Sequence, residues 1–253
     1  MRLLFLGTGG YHPNERRHTA GLLLPDIGLL LDAGSGTFRA AERLISSDLT
    51  IAVSHAHLDH ICGLTYLLVP LHQGVIRRLR VLAESEVLEA IQTHLFCPAV
   101  FPVLPAIEFD ALEENLPVSL AGEARLRHQR LPSHPGGSRG FRIDWRDSTT
   151  AESKSLAYIT DTTVDGSYTE FIRGVDLLVH ECYFPDSAAD WAAKTGHSYT
   201  SAVAELARDA DVGRVLLTHI DPQQPGDDPT GLIAAQRLFP AIELAEDLRE
   251  YIV

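Results

Sequence analysis

Apolar residues fall along this chain in short runs, each closed by a glycine-bearing or polar turn, and the runs alternate with stretches of helical spacing. Residues 3–6 read as a buried strand running into the Gly7-Thr8-Gly9-Gly10 turn. Residues 20–24 and 28–31 predict two strands joined around Pro25-Asp26. After Gly34-Ser35-Gly36, the spacing of Phe38, Ala41, Leu44 and Ile45 predicts a helix. A strand over 51–54 follows, then helical spacing over 61–71 that Pro70 interrupts. Residues 79–83 predict a strand and 85–95 a helix, while 96–105, with three prolines among large apolar groups, predict irregular structure. Strands are predicted at 126–129, 141–145 and 155–160, with a polar hairpin tip over 147–153. Strand and helix then alternate: 175–180, helix 201–210, 215–218, helix 230–238, and an edge strand at 242–244. The pattern is that of an α/β protein with two sheets and outer helices, read as one domain over 1–253.

The composition narrows the class. A chain of 253 residues buries a core without staples. Three cysteines, Cys62, Cys97 and Cys182, show no paired spacing, which suits a reducing compartment. No apolar run is long enough to span a membrane, and the N-terminal one is too short for a signal peptide, so a cytoplasmic location is expected. The net charge of −13 argues against nucleic-acid binding through a broad charged surface. The basic runs at 77–80 and 125–130 read as solvated faces.

The densest chemistry lies in Ser54-His55-Ala56-His57-Leu58-Asp59-His60, directly after an apolar run. An extended strand would send alternate side chains to opposite faces. The four metal-capable groups converge only if the strand ends near Ser54 and a tight loop enters a helix. That places a metal loop at the C-terminal edge of a sheet, where open α/β sheets carry their sites. Imidazole mixed with carboxylate suits zinc, manganese or iron.

Three further residues share the same local syntax, a ligand-capable group just after an apolar run: His134, Asp161 and His219. Seven protein ligands suffice for two divalent metals. One would take His55, His57 and His134, the other Asp59, His60 and His219, with Asp161 shared. Two such metals can stabilise the attacking and leaving oxygens of a displacement and generate a nucleophile near neutral pH.

These residues resemble the metallo-β-lactamase superfamily. The resemblance runs from Phe5-Leu6-Gly7-Thr8-Gly9, through Leu30-Leu31-Asp32-Ala33-Gly34 and the His55–His60 motif, to Leu216-Leu217-Thr218-His219. It implies a four-layered αβ/βα sandwich with a dinuclear site at one edge, and a structural role for Asp32. Within the superfamily, residues 176–184, Gly196-His197-Ser198 and Gly140-Phe141-Arg142-Ile143 resemble the ribonuclease Z group. That likeness implies His197 beside the metals, acting on the scissile phosphate or the leaving group, and Asp59 as both ligand and proton acceptor. A homodimer is also expected from it.

Two departures bear on substrate. The tRNA-processing members of the group carry a protruding arm, commonly inserted between the third histidine and the bridging aspartate. Here the span from His134 to Asp161 reads as strand, tip and strand, with no arm. The opening loop, Tyr11 to Thr19, also differs from the group's pattern. The expected activity is hydrolysis of a phosphodiester in a small molecule or nucleotide. The alternatives are tRNA 3′ processing, and lactone or thioester hydrolysis in an apolar pocket built by 96–104. His12, Arg17 and His18 are candidates for the mouth of the site. A metal-stabilised binding module without catalysis is the remaining alternative.

Overall fold

The structure is a computed structural model that describes residues 1–224 and 226–253. The first sheet has the order β14 (Glu250–Ile252), β1 (Arg2–Gly7), β2 (Gly21–Leu24), β3 (Leu29–Leu31), β4 (Asp48–Ala52), β5 (Arg78–Ala83), β6 (Ile107–Ala111). The second has the order β13 (Ile242–Leu244), β12 (Val215–Thr218), β11 (Leu177–Glu181), β10 (Ser153–Ile159), β9 (Ser138–Arg146), β8 (Arg125–Leu131), β7 (Val118–Ser119). Each sheet is parallel in one half, β3 to β6 and β10 to β13, and antiparallel in the other.

The period of two along the strands builds the layers. Leu3 and Phe5 of β1 face the second sheet, where they join Phe141, Ile143, Leu156 and Tyr158 in one core. Leu4 and Leu6 point the other way, against Leu64, Leu67, Leu88 and Ile91 of the outer helical layer. In the second sheet, Leu216 faces inward while Val215 and Leu217 pack against Val203, Leu206 and Ala207. Both faces of the central strands are therefore covered, which is why they read as continuous apolar runs. The outer layers hold α1 (Leu58–Ile61), α2 (Leu68–His72) and α3 (Ser85–Ala90) on one side, and α4 (Thr169–Ile172), α5 (Ala189–Thr195), α6 (Thr200–Asp209) and α7 (Leu232–Leu238) on the other. This is the αβ/βα sandwich expected from the sequence. No helix among the described residues is long and apolar enough to cross a membrane.

Several local expectations are corrected. The helix predicted around residues 38–45 is a single 3₁₀ turn, Thr37–Arg39. Phe38 and Ile45 are exposed, and the Arg39 guanidinium is drawn inward to the Leu6 carbonyl at 2.7 Å and to Asp247 at 2.9 Å. The spacing over 61–71 resolves into α1, a 3₁₀ stretch Cys62–Leu67, and α2. Pro70 sits inside the first turn of α2, where its missing N–H has no intrahelical partner to lose. The helix over 85–95 ends as α3 and continues as a wider π turn, Ile91–Leu95. Strands β6, β7 and β14 and helices α4 and α5 are additional.

Candidate metal centre

The ends of β4, β8, β10, β11 and β12 meet at one edge of the sandwich. β4 stops at Ala52, and Ser54 turns the chain because Asp32 accepts both its N–H (2.7 Å) and its hydroxyl (2.9 Å). The chain then enters α1 with His57 extended at the cap and Asp59 in the first turn, where the helix dipole favours a carboxylate. His55 and His57 precede the helix, and Asp59 and His60 lie within it, so alternation no longer separates them. Asp161 follows β10 with φ +47°, and His219 follows β12 with φ +56°. Asp32, at the end of β3, has φ +58°. Such left-handed non-glycine residues cost energy and persist where their surroundings hold them.

The seven predicted ligand residues come together. Asp161 Oδ2 lies 3.5 Å from His55 Nε2 and 3.7 Å from His134 Nε2. Asp161 Oδ1 lies 3.3 Å from His60 Nε2 and 3.2 Å from His219 Nε2. His57 Nδ1 stands 3.3 Å from His134 Nε2. Asp59 Oδ2 stands 3.2 Å from His219 Nε2 and 3.3 Å from His60 Nε2. The ligand atoms form the clusters His55–His57–His134–Asp161 and Asp59–His60–His219, with a third overlap of Asp161, His197 and His219. The two oxygens of Asp161 thus face two different nitrogen sets.

The donor set fits metal ions. Nitrogens about 2.0–2.1 Å from a tetrahedral centre stand about 3.3–3.4 Å apart, close to the separations here. His55 Nε2 is buried with no hydrogen-bond partner. The Nε2 atoms of His60 and His219 face each other at 3.2 Å, a contact that suits two lone pairs aimed at a common cation. The other ring nitrogens are held from outside: His60 Nδ1 by Asp32 at 2.8 Å, His55 Nδ1 by Ser54 Oγ at 3.0 Å, and His134 Nδ1 by the Gly196 carbonyl at 3.3 Å. Such outer partners set the tautomer that offers a lone pair inward. Asp32, fully buried, also accepts the Tyr158 hydroxyl at 2.9 Å.

Electrostatics follows from burial and close carboxylates. Burial, helped by neighbouring His60, pushes the His55 imidazole well below its ordinary range, and burial lowers His134. Both stay neutral, as ligands must. Burial opposes charge on Asp161 and Asp59, yet the surrounding imidazoles hold both below the usual carboxylate range. Burial disfavours the His60 cation, but Asp161, Asp59 and Asp32 together raise it in the metal-free protein.

His197 lies beside the cluster, its ring 4.8 Å from that of His134 and stacked 4.8 Å from Tyr183. Its Nδ1 is 3.0 Å from Glu181, which is fully buried and also accepts the Thr162, Tyr183 and Ser198 amides. Burial disfavours the charged ring, but Glu181 prevails and the imidazolium is raised to about 9. Glycines admit these groups: a Cβ on Gly10 would fall 2.5 Å from His219 Cε1, and one on Gly196 (φ +77°) 2.7 Å from the His134 Cα.

The cluster opens to a cleft of about 200 Å³ walled by Tyr11, Tyr183, Phe184, Thr195 and His197. Tyr11 and Tyr183 are wall residues that sequence reasoning did not single out. Of the predicted mouth residues, Arg17 instead bonds Thr8 Oγ1 and the Ala245 carbonyl, and His18 bonds Ser35 and Asp247. Residues 96–104 do not line the cleft, so no apolar pocket of theirs adjoins the ligands. A hollow of about 330 Å³ beside Arg127, His128 and Phe171 contains none of the clustered ligands, whereas one of about 260 Å³ beside Glu84 and Pro135 is walled in part by His55 and His57.

Residues 29–220 match the family model described as Beta-lactamase superfamily domain, and the chain belongs to that family. It is 25% identical to a protein named Ribonuclease Z from Brevibacillus brevis, covering 98% of this chain and 95% of that protein. It is 28% identical to a Ribonuclease Z from Prochlorococcus marinus, covering 99% and 97%. The metallo-β-lactamase fold protein YhfI from Bacillus subtilis superposes with a TM-score of 0.79 at 22% identity, covering 99% of this chain and 98% of that one. The short form of human tRNase Z does so at 0.72 and 20%, covering 100% and 99%.

Proposed function

We propose that this protein is a metal-dependent phosphodiester hydrolase. The observation that carries the reading is the pair of ligand clusters joined through the two oxygens of Asp161, with the Glu181-held His197 on their rim. His55, His57 and His134 would hold one divalent metal and Asp59, His60 and His219 the other, zinc being the default for this donor set and manganese or iron the alternatives. When bound, such a pair neutralises phosphoryl charge and lowers the pKa of water.

The chain's own groups do the rest. Asp59 Oδ2 is occupied by the Tyr11 amide at 2.9 Å and by His60 and His219, which leaves Oδ1 to take a proton from the attacking water. His197 directs Nε2 away from Glu181, so its N–H can donate to phosphate or to the departing oxygen. Thr195, Tyr183 and Phe184 shape the cleft.

The substrate's size has two readings. The relatives named Ribonuclease Z favour RNA, against the acidic charge of −13. A small diester or nucleotide is favoured by the segment between His134 and Asp161, which is only the β9–β10 hairpin. The Brevibacillus alignment spans 305 positions, more than the 253 residues here, so that relative carries segments absent from this chain. We read the chain as one catalytic domain without a protruding arm.

The test is hydrolysis of bis-p-nitrophenyl phosphate by zinc- or manganese-loaded protein, with His57→Ala alongside. Turnover lost in the variant supports the reading. No turnover of this diester or of RNA with two metals bound per chain sinks it.

A further inference from the structure

Helix α5, whose Thr195 lines the metal cleft, carries an exposed tryptophan one turn earlier. The chain has two tryptophans. Trp145 is buried, whereas Trp191 is 60% exposed. Lys194 Nζ lies 5.2 Å from the centre of the Trp191 ring, within cation–π range. Among the described residues Lys194 makes no ion pair with a carboxylate.

The position of this pair is set by helical geometry. Trp191, Lys194 and Thr195 stand at i, i+3 and i+4 and share one stripe of α5. Thr195 lines the cleft, and its hydroxyl bonds back to the Trp191 carbonyl at 2.8 Å. One helical turn, about 5.4 Å, separates the two. The C-terminal end of α5 is locked against the site: His197 N–H bonds the Ala192 carbonyl at 2.9 Å, and Gly196 packs on His134. The stripe therefore begins at the cleft wall, at Thr195, and runs back along α5 through Lys194 and Trp191.

We infer that Trp191 and Lys194 form an outlying subsite that stacks the base of a single-stranded nucleotide next to the scissile phosphate, with Lys194 meeting the adjoining backbone phosphate. Single strands are bound without sequence readout by this combination of an aromatic platform and a cation. The subsite gives an acidic protein a local grip on a polynucleotide without a broad basic face. The inference rests on the phosphodiesterase reading and deepens it toward a single-stranded nucleic acid.

The test uses the zinc-loaded protein, an unpaired RNA hexamer, and bis-p-nitrophenyl phosphate as a substrate with no base. In stopped-flow mixing, the hexamer quenches tryptophan emission before turnover in the wild type and not in Trp191→Ala, where Trp145 still emits. Trp191→Ala raises the KM for the hexamer about tenfold, the scale of one lost base stack, with kcat and small-diester hydrolysis unchanged. Trp191→Phe retains most of the affinity, and Lys194→Ala raises KM and weakens its dependence on salt. Wild-type quenching and KM in Trp191→Ala overturn the inference. So does a change of oligomeric state in Trp191→Ala with no change in hexamer affinity, which would make this stripe a contact between copies. If the wild type hydrolyses neither substrate, the phosphodiesterase reading fails, and the quenching result still decides whether Trp191 stacks on a base.

Discussion

Replacing Asp32 by asparagine tests whether the metal centre depends on a group that touches no metal. The change keeps the shape, and asparagine tolerates the left-handed backbone, φ +58°, found here. It alters only what the side chain can accept. Asp32 receives Ser54 N–H at 2.7 Å, Ser54 Oγ–H at 2.9 Å, His60 Nδ1–H at 2.8 Å and Tyr158 O–H at 2.9 Å. The two hydroxyls can rotate and accept from an amide. The backbone N–H cannot, and His60 can accept at Nδ1 only by moving its proton to Nε2, the atom that faces His219 and Asp161. To bind metal, His60 must keep the proton on Nδ1. The substituted amide can then offer its one oxygen to Ser54 N–H or to His60, leaving the other donor buried without a partner. That costs about 1–3 kcal/mol, which at 1.4 kcal/mol per decade is about 5- to 150-fold in metal affinity. In the metal-free form the substitution removes one of the three carboxylates that favour the His60 cation, and a neutral His60 can then carry its proton on Nε2 toward Asp59 and Asp161 while Nδ1 accepts from the amide, so much of the cost disappears. The expected result is a zinc affinity lowered about 10- to 100-fold by chelator competition, with a far smaller change in the melting temperature of the metal-free protein. Wild-type zinc affinity in Asp32→Asn would refute the tautomer argument. An equal loss of stability with and without zinc would show that Asp32 acts only as a structural acceptor.

Three other outcomes follow from the same geometry. Tyr158→Phe removes one buried hydrogen bond to Asp32 and should cost about 0.5–1.5 kcal/mol in denaturant unfolding while both metals still bind; loss of metal would show that the tyrosine, too, orients His60. Gly10→Ala places a Cβ 2.5 Å from His219 Cε1, so metal analysis should show selective loss from the Asp59–His60–His219 cluster; two metals per chain with unchanged affinity would contradict that packing. In the metal-free protein, burial disfavours the His197 cation but Glu181 raises it to about 9. This group therefore stabilises the fold fully below the unfolded value of about 6.5 and loses that contribution as pH rises toward 9. Glu181→Gln should bring the NMR titration of His197 down below that of the wild type and flatten this part of the stability profile; an unchanged titration would remove Glu181 as the cause.

The candidate ligand residues that the fold brings together were legible because each carries a local signal. His55 to His60 occupy one short run, and His134, Asp161 and His219 each follow an apolar run that ends at the same edge of a sheet. The partners around them carry no such signal. Nothing in the spacing of Asp32 and Tyr158, 126 residues apart, shows that the carboxylate behind His60 also takes the tyrosine hydroxyl, and the Gly196 carbonyl that meets His134 is a backbone atom. Strand β6 escapes the pattern because Glu108 and Asp110 make it look like a polar loop. In the fold those carboxylates pair with Arg78 and Arg80 of the neighbouring strand, so the basic run at 77–80 is largely neutralised. The helix expected at 38–45 fails for the opposite reason: its apolar spacing is real, but contacts of Arg39 with Leu6 and Asp247 decide the backbone.

By itself, the sequence determined the alternation of strands and helices, the two-faced burial of the central strands, and the seven groups able to bind metal. These properties depend on side-chain period and residue type, which local order carries. Only the tertiary structure decided that Asp161 turns one oxygen to each cluster, that Asp32 meets Nδ1 of His60, that Glu181 holds His197, and that the Thr195 end of α5 walls the cleft beside Tyr11 and Tyr183. Those relations join residues from separate strands and helices, and they exist only once two sheets have packed face to face and brought their strand ends to one edge.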